Sequence, residues 1–184
     1  MSVPREEYLD CETQGFWRDM DNYYPDDKEI HERGQRGAQL NARDHGRFPI
    51  QWDSSPNGGF TTAEKPWMVA HPAYTEINVA NQIDDPTSTL SFYKKMIRFR
   101  KEKKDLMIYG SFRIVDLAND QTMVYVKEHG DKQAVVALNF TKEQIKFALP
   151  SDLRGEAELA VSNYKNSSLD TLEPYEGRIY LINA

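Results

Sequence analysis

The 184-residue sequence has a single cysteine, Cys11, so no disulfide can form within the chain. We expect Cys11 to be a small buried apolar residue, and the lack of disulfides suits a reducing compartment or a protein that is indifferent to redox state. No apolar run reaches the roughly 18 residues of a transmembrane helix, and residues 1–5 lack the apolar core of a signal peptide. The sequence therefore predicts a cytoplasmic protein with no membrane partner.

The chain has no excess of positive charge, since 23 Lys and Arg are outnumbered by 29 Asp and Glu, and the formal net charge is −6 at pH 7. Nucleic-acid binding needs a clustered positive surface. The one dense basic run, between Lys94 and Lys104, lies on the polar face of a predicted helix, where charged side chains are solvated. We expect no nucleic-acid partner.

The sequence has none of the common short motifs of catalysis or cofactor binding. It lacks a Gly-rich phosphate loop, a CxxC pair, a GxSxG elbow and a histidine spacing that suggests a metal site. Paired carboxylates for glycoside hydrolysis need an opposed geometry that spacing alone cannot establish. We therefore predict no catalytic residues, no metal ligands and no cofactor in this chain.

The first part of the chain is polar, rich in aromatic residues and interrupted by Gly and Pro. From residue 8 to about residue 85, the pattern predicts one amphipathic helix, residues 26–42, and otherwise a structured loop region. Turn residues are concentrated at positions 54–59, where Asn57, Gly58 and Gly59 admit positive φ angles.

The second part begins with a strongly amphipathic helix, predicted over residues 88–103. The following apolar side chains share one arc of that helix: Leu90, Phe92, Tyr93, Met96, Ile97 and Phe99. After residue 105 the period changes from 3.6 to 2, and short segments rich in Val, Ile, Phe and Tyr alternate with turns. Such a pattern predicts an antiparallel sandwich or open barrel.

Residues 43–53 (RDHGRFPIQWD) combine two arginines, two aspartates, a histidine, a glutamine and two aromatic residues. Sugar sites need this mixture, because planar charged groups bind hydroxyls in pairs and aromatic rings cover the C–H face of the sugar. The residue content also fits a rigid loop whose arginines satisfy internal carbonyls and carboxylates. Composition alone leaves both interpretations open.

The same segment resembles the RDxxRTPMQW signature of α-glucosidases and oligo-1,6-glucosidases of glycoside hydrolase family 13, particularly the yeast and fungal maltases and isomaltases. Further motifs before and after this segment match the family in the same order, and the likeness covers nearly the whole chain. They are YLDCET at 8–13, PNGGFT at 56–61, KPW at 65–67, EINV at 76–79, DPTS at 85–88 and the closing segment 172–180 (LEPYEGRIY).

The resemblance implies a mixed fold. Residues 1–104 would form the end of a (β/α)₈ barrel, which comprises the long βα loop 8 and the last helix. Residues 105–184 would form an antiparallel β-sandwich domain. It also implies that the nucleophile and the acid/base lie on earlier barrel strands, outside this chain. The expected partners are the missing N-terminal barrel segment and, through the complete enzyme, an oligosaccharide substrate.

By resemblance, the predicted substrate-binding residues are Arg43, Arg47 and Glu12. The two arginines would line the glucose subsite or hold its carboxylates, with Arg43 preferred for contact with sugar hydroxyls, and Glu12 would lie at the pocket rim near the leaving group. Phe48 and Ile50 replace the family's usual Thr and Met. The expected function is that of the C-terminal part of a retaining α-glucosidase, inactive alone. The alternative is a non-catalytic binding or interaction module related to these enzymes.

Overall fold

The computed structural model describes residues 4–183, which form two compact units, one extending to Ser91 and the other beginning at Phe92. This division precedes the predicted boundary between residues 104 and 105. The difference arises because side chains from Phe92 onward pack on the sheet that follows. Among the described residues, no helix is long and apolar enough to cross a bilayer.

The first unit contains three α-helices: α1 (Cys11–Tyr23), α2 (Lys28–Asn41) and α3 (Val79–Ile83). Each begins after a capping side chain, namely Asp10, Asp27 and Asn78. The side-chain oxygen of each cap accepts a hydrogen bond from the backbone N–H three residues later, at 3.3, 3.0 and 2.8 Å. Such caps satisfy amide groups that have no partner within the helix.

Helix α2 confirms the prediction for residues 26–42, but the prediction of irregular structure before it was wrong. Helix α1 has 13 residues, but only two side chains on its buried face are apolar, too few to show a helical period in the sequence. Its buried face is made by Thr13, Trp17 and Met20. Cys11 occupies the first helical position, away from that face, and it is exposed rather than buried as predicted.

The core of the first unit is small and lies between α1 and α2. Its buried apolar residues are Tyr8, Trp17, Met20 and Ala38, against which Ile30, Ala42 and Phe48 are packed. The loop after α2 is held by backbone hydrogen bonds, since the Gly58 carbonyl accepts from the N–H groups of Trp52 and Asp53 at 2.7 and 3.2 Å. The predicted turn is confirmed there, with φ of 57°, 66° and 67° at Asn57, Gly58 and Gly59.

The last helices are α4 (Thr89–Glu102) and the single turn α5 (Lys104–Met107). The strands that follow are β1 (Ser111–Ile114), β2 (Thr122–His129), β3 (Lys132–Asn139), β4 (Ile145–Lys146), β5 (Glu156–Ser162), β6 (Thr171–Leu172) and β7 (Gly177–Asn183). A five-stranded antiparallel sheet has the order β1-β2-β3-β7-β5, and β4 and β6 form a two-stranded sheet.

The five-stranded sheet is covered on both faces. Val135 and Tyr180 face one apolar cluster, which contains Leu172 of β6 and Phe147, the residue after β4. The alternate residues Val136 and Ile179 face the other cluster, with these helical side chains: Phe92, Met96, Phe99, Leu106 and Met107. The antiparallel strands agree with the sequence pattern, whereas the helical layer on one face was not expected.

Candidate functional site

The candidate site is centred on Asp10, the buried N-cap of α1. One oxygen of its carboxylate, Oδ1, accepts hydrogen bonds from Nε of Arg43 at 3.0 Å and from Nη1 of Arg47 at 3.3 Å. Nη2 of Arg43 lies 2.7 Å from the same oxygen. The other oxygen, Oδ2, accepts from the backbone of Thr13. One buried carboxylate therefore joins α1 to the turn after α2, where both arginines lie.

A second buried carboxylate, Asp44, fixes the backbone that leads into α1. Its Oδ2 accepts hydrogen bonds from the N–H groups of Leu9 and Asp10, each at 3.0 Å. Its Oδ1 lies 3.8 Å from Nη1 of Arg47, so Arg47 is placed between the two buried carboxylates. The arginine charge offsets part of the cost of burying negative charge, although Oδ1 of Asp44 has no hydrogen-bond partner among the described residues.

The charges of the site influence one another. Burial would raise the pKa of Asp10, but the hydrogen bond from Arg43, the Thr13 amide and the nearby arginine charges outweigh it and lower that pKa below its usual range. The hydrogen bond to Asp10, followed by the attraction of Asp10 and Glu12, raises the pKa of Arg43. The carboxylate and the guanidinium therefore stay charged at neutral pH.

An aromatic stack supports the turn that carries the arginines. The Tyr8 ring lies parallel to His45 with centroids 5.8 Å apart, and the Tyr8 hydroxyl is 3.3 Å from Nε2 of His45. The ring centroids of His45 and Phe48 are 6.1 Å apart, with the two rings tilted relative to each other. Burial, with a smaller contribution from the charge of Asp44, raises the pKa of Tyr8. Phe48 thus contributes to packing, whereas Ile50 is exposed.

The three predicted site residues are brought together around Asp10. Arg43 contacts Asp10 directly, and its Nη2 lies 3.4 Å from Oε1 of Glu12, whose side chain is 75% exposed. Arg43 and Glu12 line a cleft of about 320 Å³ between α1 and α2. Arg47 contacts Asp10 but does not line that cleft.

Two residues of the cluster, Asp10 and Asp44, were not predicted as site residues. Both belong to motifs that the sequence shows, YLDCET and RDHGR, but nothing in the spacing indicates that they are buried together. Among residues 4–183, no group of three or more His, Cys, Asp or Glu side chains is placed to hold a metal ion.

The sequence is similar to one protein family and to several known proteins. The alpha-amylase catalytic domain family matches residues 11–110. An alpha-glucosidase of Schizosaccharomyces pombe is 40% identical over 178 residues, covering 94% of this chain and 30% of that protein. A probable oligo-1,6-glucosidase of Bacillus subtilis is 37% identical over 188 residues, covering 97% of this chain and 32% of that protein.

Among solved structures, a mutant isomaltulose synthase from Erwinia rhapontici in complex with sucrose is similar to the whole chain. Its TM-score is 0.88 at 31% sequence identity, and the match covers 100% of this chain and 33% of that one. The chain thus spans about a third of the length of the relatives that it matches.

Proposed function

Since this chain belongs to the alpha-amylase family, we propose that it is the C-terminal part of a retaining α-glucosidase. The complete enzyme would hydrolyse terminal α-linked glucose from maltose- and isomaltose-type oligosaccharides. In this proposal residues 1–104 supply loop 8 and the last helix of the (β/α)₈ barrel. Residues 105–184 supply the antiparallel C-terminal domain. Active sites of such barrels are built from the βα loops, where this proposal places the Arg43 cluster.

The observation that carries the proposal is the placement of Arg43. Its Nε and Nη2 are held by the buried Asp10, yet the side chain is 51% exposed beside the cleft. A guanidinium has five N–H donors, so further donors are available for sugar hydroxyls. Glu12 adds an acceptor at the same rim. The set matches the paired polar contacts that a sugar requires.

We propose that the chain alone is inactive. A retaining mechanism uses two carboxyl groups about 5 Å apart, one as nucleophile and one as acid and base. The buried carboxylates of this site, Asp10 and Asp44, are already engaged by arginines and backbone amides. In the proposal the reacting carboxyl groups belong to earlier barrel strands, which the chain does not include.

The experiment compares this chain with a fusion in which it replaces the matching part of the S. pombe alpha-glucosidase. The fusion should hydrolyse 4-nitrophenyl α-D-glucoside, maltose or isomaltose, and the 184-residue chain should release product at the buffer rate. The intact S. pombe enzyme is the positive control. Circular dichroism and a cooperative thermal transition establish that the fusion is folded.

Two results would count against the proposal. Turnover by the chain alone that survives repurification, and that a mutation in this chain abolishes, would overturn the proposed inactivity. A folded fusion that is inert toward all three substrates would contradict the α-glucosidase assignment and favour the non-catalytic module.

A further inference from the structure

Asn57 and Gly58 form the one Asn-Gly pair of the sequence. Their φ and ψ angles are 57° and 23° at Asn57 and 66° and 26° at Gly58. These are the angles of a type I′ turn, which favours this pair of residues. The pair is also chemically reactive, because the backbone nitrogen of a glycine is not shielded by a Cβ and can attack Cγ of the asparagine before it. The turn therefore holds a reactive pair in one conformation.

The folded geometry keeps the pair from reacting. Ring closure needs the Gly58 nitrogen to lie nearly eclipsed with Cβ of Asn57 about the Cα–C bond. A ψ angle of 23° instead places that nitrogen close to the backbone nitrogen of Asn57 and turns it away from Cγ. The Gly58 N–H also donates to the Ser55 carbonyl at 2.9 Å, and Nδ2 of Asn57 donates to the Ala63 carbonyl at 2.9 Å. Attack on Cγ therefore requires a rotation that breaks the turn.

The same turn supports the start of α3. The Gly58 carbonyl accepts a hydrogen bond from the Trp52 N–H at 2.7 Å. The carbonyls of Gln51 and Trp52 accept from the first two N–H groups of α3, those of Val79 and Ala80, at 2.8 and 2.9 Å. A Cβ at Gly58 would lie 3.3 Å from Cα of Gln51, so the backbone packs closely here. Opening the turn thus loosens the segment that contacts α3.

We propose that Asn57 is a site of spontaneous deamidation, which the folded turn blocks and which opening of the turn permits. The Gly58 nitrogen forms a bond to Cγ and gives up its proton to solvent, and the side-chain nitrogen of Asn57 takes up a proton and leaves as ammonia. Water then opens the five-membered succinimide at either carbonyl, which gives aspartate or isoaspartate. The reaction needs no oxidant, reductant or cofactor.

Isoaspartate is the product that changes the fold. It inserts a methylene group into the backbone before Gly58, so the type I′ angles and the hydrogen bond between the Gly58 carbonyl and the Trp52 N–H are not regained. Both products lose the Nδ2 donor to Ala63. The modification thus makes an opening of the turn permanent. This inference goes beyond the proposed function and does not depend on it.

The test incubates the full 184-residue chain at mildly alkaline pH, in native buffer and in urea, and follows conversion of Asn57 by tandem mass spectrometry. Conversion should be roughly 10- to 1000-fold slower in native buffer, because opening must first break the hydrogen bonds of the turn. In urea, Gly58→Ala should slow conversion, because the added Cβ shields the attacking nitrogen.

Asp53→Ala should open the turn without changing the reacting pair. Oδ1 of Asp53 accepts hydrogen bonds from the Ser55 N–H at 2.8 Å and from the Ser55 hydroxyl. The variant should convert roughly three- to tenfold faster than the unmutated chain in native buffer and at the same rate in urea. Glu64→Ala removes an exposed carboxylate nearby in the sequence. It is the control and should match the unmutated chain in both conditions.

Equal rates in native buffer and in urea, in a chain whose ¹H–¹⁵N spectrum shows a folded first unit, would overturn the inference. The absence of conversion in urea would overturn it as well, as would equal native rates for Asp53→Ala and Glu64→Ala. Hydrogen exchange checks the consequence. The Trp52 amide should lose protection in the purified isoaspartate chain and keep it in Asn57→Asp, which has the charge but the normal backbone. A protected Trp52 amide in the isoaspartate chain would contradict the loss of the turn.

Discussion

At the scale of single residues, Arg43 and Arg47 share one oxygen of Asp10 but have different surroundings. Arg43 extends to Glu12 at the edge of the cleft, whereas Nη1 of Arg47 lies between the carboxylates of Asp10 and Asp44. Both arginines therefore hold the loop through Asp10, but only Arg43 also lines the cleft.

In the complete enzyme that we propose, Arg43→Lys should lower kcat/KM by on the order of 100-fold, because lysine lacks the planar fork that binds two groups at once. Its Tm should change little, since Arg47 still pairs with Asp10. Arg47→Lys should lower both kcat/KM and Tm. Steady-state kinetics and thermal unfolding of each variant check this. Unchanged kcat/KM in Arg43→Lys would exclude Arg43 from the binding site, and a large loss of Tm would make it a structural residue.

A charged pair in the second unit is fully buried. Arg178 donates from Nε and Nη2 to the two oxygens of Glu176, at 2.7 and 2.6 Å. Burial would raise the pKa of Glu176, but hydrogen bonds from Arg178, Ser167 and the Glu173 amide lower it to about 2. Arg178 also ties β7 to β6 and to the loop before β6, because it donates to the carbonyls of Thr171 and Ser168.

The lowered pKa makes the stability of the second unit depend on pH. A carboxyl group with a pKa of 4.5 when unfolded and about 2 when folded contributes about 3 kcal/mol. This contribution is complete above the unfolded pKa and is lost as the pH falls toward 2.

Glu176→Gln should lower the unfolding free energy at neutral pH and flatten its fall between pH 5 and 3, measured by urea unfolding. Glu156→Gln, at an exposed position of β5, is the control, and equal pH profiles for the two variants would contradict the prediction.

At the scale of elements, helix α4 packs against one face of the five-stranded sheet, in which β3 is the central strand. Both faces of β3 are buried, which explains its continuous apolar run from Ala134 to Leu138. On α4, Phe92, Met96 and Phe99 pack toward the sheet, while Tyr93 and Ile97, predicted on the same apolar arc, are 65% and 43% exposed. Helix α4 therefore has one face on the sheet and a second apolar strip that is open.

Substitutions on the two sides of α4 should differ in their effect on stability. Met96→Ala should lower the unfolding free energy by roughly 2 kcal/mol, because it removes a side chain packed against the sheet. Tyr93→Ala should change it by less than about 0.5 kcal/mol in the 184-residue chain. Chemical unfolding of both variants gives the comparison. A larger loss for Tyr93→Ala would show that α4 is turned differently on the sheet.

The elements that the sequence predicted best are those whose apolar residues repeat with a clear period. Helices α2 and α4 and strands β2, β3, β5 and β7 show such a repeat over seven or more residues. Helix α1 has 13 residues but was missed, because only Trp17 and Met20 on its buried face are apolar. Strand β6 has two residues, too few for a period, and was not predicted. The site was predicted only in part for a different reason. Asp10 contacts arginines that lie 33 and 37 positions away in the sequence, and periodicity cannot reveal such long-range pairing.

At the scale of the whole molecule, the two units differ in the size of their cores. The first has a small cluster around Trp17, and its Trp52 and Trp67 are 48% and 66% exposed. The second has a sheet with an apolar cluster on each face. Because apolar burial is the main favourable term in folding, we expect the first unit to be the less stable of the two in the isolated chain.

Tryptophan fluorescence can report this difference, because all three tryptophans belong to the first unit. In urea, the fluorescence midpoint should fall at a lower concentration than the midpoint of the β-sheet circular dichroism signal. Limited proteolysis should likewise cut within residues 1–85 before it cuts the sheet. Coincident midpoints would indicate one cooperative unit, and a protease-resistant first unit would contradict its lower stability. In the fusion with the S. pombe enzyme the first unit would complete a barrel, so the two midpoints should move together there.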